Sequence, residues 1–206
     1  MKRNDILLAM ASAACVGVML IGGCSGATPG TASPAPSANG QSQQSLPPAT
    51  SAVQVPPVPS QLKVDKFLAD PCSMLTAQQL STLKLSKPER DSNSTGISCA
   101  WQFGDGYTNL SASFLTSVPN GLTNAYSQKA AGYYASGYFE PTSINGFPAV
   151  LADSRDRRDQ GHISMLLGLS DKTEMLILIQ ASPGTNVKAG ATNFAKAIVS
   201  TIQGAQ

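Results

Sequence analysis

Ile163-Ser164-Met165-Leu166-Leu167-Gly168-Leu169 and Glu174-Met175-Leu176-Ile177-Leu178-Ile179-Gln180-Ala181 decide the fold of this chain. Both runs are nearly continuous in apolar residues. A strand that is apolar on both sides is covered on both faces, so the pair predicts the centre of a sheet. Asp171-Lys172 marks the turn between them.

Outward from that pair, residues 138–144 and 149–153 predict two further strands around Asn145-Gly146, a residue pair suited to a tight hairpin. Farther back, Ile97, Cys99, Trp101 and Phe103 alternate with Ser98, Ala100 and Gln102. Period two means a strand with one buried face, on which Cys99 and Trp101 lie together. Gly104-Asp105-Gly106 turns the chain, and Leu110, Ala112 and Phe114 alternate with Ser111 and Ser113 in a second strand. Residues 85–95 are polar and read as a loop.

Helical signals sit between and around these strands. Asp70-Pro71-Cys72 predicts a helix start, with Asp as cap and Pro in the first turn. Thr76-Ala77-Gln78-Gln79 is a capping-box pattern for a second short helix. Asn120 is placed to cap a third, on which Leu122, Ala125, Tyr126 and Tyr133 fall at helical spacing. Residues 187–202 predict the last helix, with Ala191, Phe194, Ala195, Ile198, Val199 and Ile202 as its buried stripe. The expected class is α+β: an antiparallel sheet of about six strands with helices on both faces, in the order αββαββββα, behind a disordered linker.

Composition separates that domain from what precedes it. All twelve aromatic residues lie at or after Phe67, and eight of the fourteen prolines lie between Pro29 and Pro59. Residues 25–62 carry no charge and are mostly Ser, Thr, Ala, Pro, Gly and Gln. Such a segment cannot bury enough apolar surface to offset its ordering entropy. It reads as a tether whose ends lie about 35 Å apart, dispensable for folding. Lys2 and Arg3, an uncharged apolar run over residues 6–21 and the small residues Gly22 and Gly23 before Cys24 have the three parts of a secretory signal. Ile21-Gly22-Gly23-Cys24 resembles a bacterial lipobox. That resemblance implies S-diacylglycerol and N-acyl groups on Cys24, cleavage before it, and a lipid anchor on the outer face of the cell membrane. A retained transmembrane anchor is the rival, and the apolar run is at the short edge for one. The expected organisation is 1–23 signal peptide, 24–65 lipidated cysteine and linker, and 66–206 globular domain.

Cys72 and Cys99 remain after Cys15 leaves with the signal and Cys24 takes lipid. An even pair in an oxidising compartment reads as one disulfide; a metal site is the alternative, for which His162 is the single histidine available. No metal and no cofactor are expected. Charge gives no nucleic-acid footprint: from 14 Lys and Arg against 12 Asp and Glu, removing Lys2, Arg3 and Asp5 leaves twelve against eleven.

Three motifs in order, Asp70-Pro71-Cys72-Ser73-Met74-Leu75-Thr76, Ser98-Cys99-Ala100-Trp101 and Ile144-Asn145-Gly146-Phe147-Pro148-Ala149, resemble the pattern of an actinobacterial secreted lipoprotein family of unknown function. The resemblance implies secretion, lipid attachment and the Cys72–Cys99 bridge. It also implies a second cysteine pair in many members, at positions where this chain has His162 and residues 186–190.

Chemistry for a reaction is sparse. There is no Gly-x-Ser-x-Gly elbow to go with His162. Asp153, Asp156 and Asp159 alternate with Arg155, Arg157 and Arg158, which cancels their charge, and the calcium-loop spacing is absent. The arginines, with Tyr133, Tyr134 and Tyr138, form a candidate contact surface for an envelope protein, or an aromatic wall for a sugar or lipid ligand. Solvated loop and core packing are the plain alternatives. The sequence therefore favours a non-enzymatic binding or protein-interaction module at the membrane, with an envelope enzyme such as a hydrolase as the alternative.

Overall fold

A computed structural model describes residues 54–86, 88–92 and 96–206. Cys24, the residues expected to form the signal and most of those expected to form the tether lie outside them. The elements are α1 (Asp65–Ala69), a 3-10 turn (Pro71–Met74), α2 (Ala77–Thr82), β1 (Glu89–Ser92), β2 (Ile97–Gln102), β3 (Asn109–Phe114), α3 (Leu122–Ala130), β4 (Tyr138–Ile144), β5 (Phe147–Asp153), a 3-10 turn (Arg158–Gln160), β6 (His162–Gly168), β7 (Glu174–Gln180) and α4 (Val187–Gly204). The class is α+β.

Seven strands form one antiparallel sheet in the order β1-β2-β3-β7-β6-β5-β4. The two apolar runs are β6 and β7, both interior. Hairpins lead β4 to β7 back across the sheet, and β7 closes on β3. The one long connection, β3 to β4, must therefore cross from the centre to the far edge, and it carries α3. The seventh strand is β1, inside the stretch read as loop. It pairs with β2 over Glu89↔Ala100 to Ser92↔Ile97. Glu89, Arg90 and Asp91 are exposed, so an edge strand of charged residues left no periodic apolar signal.

Register sorts the sheet into two faces. Trp101, Leu110, Ile179 and Ile163 are paired across β2, β3, β7 and β6 and share one face. There α4 packs: its Phe194 meets Trp101 edge-on at 5.3 Å between ring centroids, and its apolar stripe is buried. Asn145 Nδ2 donates to the Lys196 carbonyl at 3.2 Å, tying the β4–β5 turn to the same helix. That turn has φ of 49° at Asn145 and 87° at Gly146, the left-handed pair the sequence called for. The opposite face carries Leu176, Leu178, Ser164 and Gly168. α3 lies on it at Gly168, where a Cβ would stand 3.0 Å from Leu122 Cδ1.

At the amino-terminal side the capping box forms: Thr76 N donates to Gln79 Oε1 at 2.8 Å and Gln79 N to Thr76 Oγ1 at 3.2 Å. Asp70 does not cap with its side chain. Its carbonyl instead accepts the Ser73 hydroxyl at 2.7 Å, and one 3-10 turn replaces the expected helix start. The domain also begins earlier than composition suggests. Leu62 and Val64 are buried, Leu62 N donates to the Leu169 carbonyl at 3.0 Å, and Gln61 is bonded to Asp171 in both directions, at 2.9 Å each. Two apolar residues after a proline-rich run have no period to read. A chain starting at Lys63 is therefore expected to lose about 2 kcal/mol against one starting at Gln54, chiefly from Leu62. Urea unfolding of the two checks this, and coincident midpoints would place the domain edge at Lys63.

Candidate functional site

The crossover that carries α3 across the second face leaves an opening. Gly132, at φ 81°, turns the chain after α3, and Tyr133 and Tyr134 follow. Their rings meet edge-on at 5.0 Å, and Tyr134 Oη donates to Gln128 Oε1 at 3.0 Å. Tyr133 is 59% exposed. Between these tyrosines with α3 on one side and strands β5 to β7 on the other lies a cleft of about 340 Å³. Leu166, Leu176 and Leu178 supply its apolar lining, Asn124 and Gln128 come from α3, and Asp153 and Ser154 stand at the end of β5.

Glu174 also lines the cleft, and no reading of the sequence singled it out. As the first residue of β7 it pairs with Gly168, and period two puts its side chain on the face of Leu176 and Leu178. It is 2% exposed, and Oε2 has no hydrogen-bond partner. Burial pushes its carboxyl up to about 7. The same burial, then the nearby acid of Glu174, lifts the Tyr134 phenol to about 12, so Tyr134 remains a neutral donor. The usable signal in the sequence was one acid placed two and four residues before Leu176 and Leu178, at the head of the apolar run 175–179.

The other sites expected from sequence separate. Tyr138 is buried and does not line the cleft. Its hydroxyl accepts from Ser164 N at 3.0 Å, just where the β5–β6 pairing stops after Leu151↔Met165. Ser164 in turn donates its hydroxyl to the Ala152 carbonyl. Arg158 lies over the Tyr138 ring at 4.2 Å and is bonded to Asp156 at 2.5 Å and Glu140 at 2.6 Å. Glu140 also takes Lys188 of α4 at 2.8 Å. Lys188 and then Arg158 hold Glu140 below the usual carboxylate range, and Arg158 does the same for Asp156. Arg157 pairs loosely with Asp153 at 3.8 Å, and Arg155 is exposed. His162 is half-buried opposite Gln180. Among the described residues, no three His, Cys, Asp or Glu are grouped to hold a metal ion. Cys72 and Cys99 are bonded, with Cα atoms 5.1 Å apart.

The fold and the cleft define a small α+β domain with α4 packed on one sheet face and the other partly open over a buried acid. The chain belongs to the family described as protein of unknown function (DUF3558), whose model matches residues 19–201. No curated protein and no solved structure matches the chain.

Proposed function

We propose that this protein is a lipid-anchored binding module of the cell envelope, and that the cleft between Tyr133 and β7 is where it binds. The observation that carries the binding reading is Glu174, a buried acid with an unpartnered oxygen on the wall of an open cleft. Interiors leave few polar atoms unpaired, and clefts that pair apolar lining with a few polar groups are the usual ligand sites. An envelope hydrolase would need a second group acting with Glu174. Asp153, the other carboxylate of the lining, is paired with Arg157, and the Ser164 hydroxyl is engaged by Ala152. A photoreactive residue at Tyr133 in intact cells tests the reading. It should capture a ligand or partner that the same residue at Tyr107, 77% exposed in the β2–β3 turn, does not; equal yields at both would refute it.

Anchoring rests on Ile21-Gly22-Gly23-Cys24. No helix among the described residues is long and apolar enough to cross a membrane; residues 6–21, the rival anchor, lie outside those residues. Two acyl signals give stable anchoring where a single chain is marginal. Cys24→Ala is expected to move the protein from the membrane fraction to the soluble fraction. Retention of a processed, lipid-free Cys24→Ala chain in membranes would contradict this.

A further inference from the structure

Glu174 is half of a pair. A carboxyl that lines an apolar cleft, 2% exposed and with one buried oxygen unpartnered, is best completed by a group that brings both a donor and a positive charge. We propose that the cleft binds an organic cation: an ammonium that pairs with Glu174, on an apolar body lying against Leu166, Leu176 and Leu178. This rests on the cleft being the binding site, and adds the chemistry of what enters it.

The surroundings favour that charge. No Lys or Arg lines the cleft. Asp153 adds a second acid, partly offset by Arg157 at 3.8 Å. Lys172, in the turn before β7, and Lys129, on α3 over the Phe139 ring at 4.7 Å, are exposed and outside the lining. Tyr133 and Tyr134 are the remaining titratable groups, and Tyr134 stays neutral. An aromatic face within about 6 Å of a cation adds attraction, and Tyr133, 59% exposed, is an aromatic residue of the lining. The volume, about 340 Å³, admits a short-chain or single-ring amine.

Protons must balance. With its carboxyl raised to about 7, Glu174 is partly protonated at neutral pH. Pairing favours the carboxylate, so the Glu174 proton leaves to solvent while the ammonium keeps its own. Affinity should rise with pH through about 7 and then level off until the amine itself deprotonates, near 10 for an alkyl amine.

The test uses three probes with one tail, n-hexylammonium, n-hexanol and n-hexanoate, on the chain from residue 24 onward with Cys24→Ala. Methyl shifts of Ala125, Leu176 and Leu178 report binding. Near pH 8, hexylammonium should bind roughly tenfold tighter than hexanol, as one charge-assisted contact can supply, and hexanoate weakest. Near pH 5.5, where Glu174 is neutral, and in Glu174→Gln, the preference for ammonium over alcohol should disappear. Equal binding of hexylammonium and hexanol at both pH values, or tighter hexanoate, would overturn the cation while leaving an apolar binding cleft. Shifts from none of the three would overturn the cation and the cleft together.

Discussion

Replacing both bridge cysteines, Cys72→Ser with Cys99→Ser, is expected to lower the unfolding free energy by about 3–4 kcal/mol. The two are separated by 27 residues, and closing a loop of that size constrains the unfolded chain by that amount in the entropy model. Typical domains have about 5–15 kcal/mol in all, so the loss is large. The bridge pins the Pro71–Met74 turn to β2, and Cys99 is 0% exposed. Trp101, two residues on, is 2% exposed against Phe194, so its emission should be blue-shifted when native and red-shift at the unfolding midpoint. A Cys→Ala pair separates the loop effect from the cost of a buried serine hydroxyl. Unchanged midpoints for both pairs, or two titratable thiols in native protein purified without reductant, would show that the bridge contributes nothing.

Glu174→Gln is expected to stabilise the protein, and only at the higher pH values. Burial raises this carboxyl from 4.5 to about 7. Between those values the unfolded chain has released the proton while the folded chain retains it, so the wild-type contribution falls as pH rises through that window. The full difference corresponds to about 3 kcal/mol. Glutamine cannot ionise but still brings an amide in need of a partner, so the gain above pH 7 is at most about 3 kcal/mol. Glu140 and Asp156, whose carboxyls are lowered by Lys188 and Arg158, act in the opposite sense. Their stabilisation is lost as pH falls through the acid range, and it is common to both chains and cancels. Urea midpoints of the two proteins near pH 4.5, 6 and 8 give the answer. A destabilised Glu174→Gln at pH 8, or a difference that does not change with pH, would mean that Glu174 is matched inside the native protein. Stability given up at a single acid is what a site held ready for a ligand shows.

Local chemistry carried much of the fold. The capping box at Thr76, the Asn145-Gly146 turn and the buried stripe of α4 depend on neighbours within a few residues, and each was legible. So was the interior position of β6 and β7, because strands covered on both faces must be apolar on both. β1 was not, since an exposed edge is held by backbone pairing to β2 and asks little of its side chains. Leu62 was not, because its partner is the Leu169 carbonyl, 107 residues away by their numbers.

The candidate site divides the same way. Sequence alone marked Tyr133 and Tyr134 as an aromatic group and determined the α+β class, the bridge and the likeness to a lipobox at Cys24. Only the tertiary structure decided that Tyr138 and Arg158 serve packing and ion pairing beside Glu140, and that Tyr133 and Tyr134 face Leu176 and Leu178. It also turned Glu174 from the first residue of a strand into a buried acid. The reason is physical: an acid's charge state depends on the solvent and dipoles within a few ångströms. For Glu174 those are set by α3 and the β3–β4 crossover, which no local pattern around residue 174 contains.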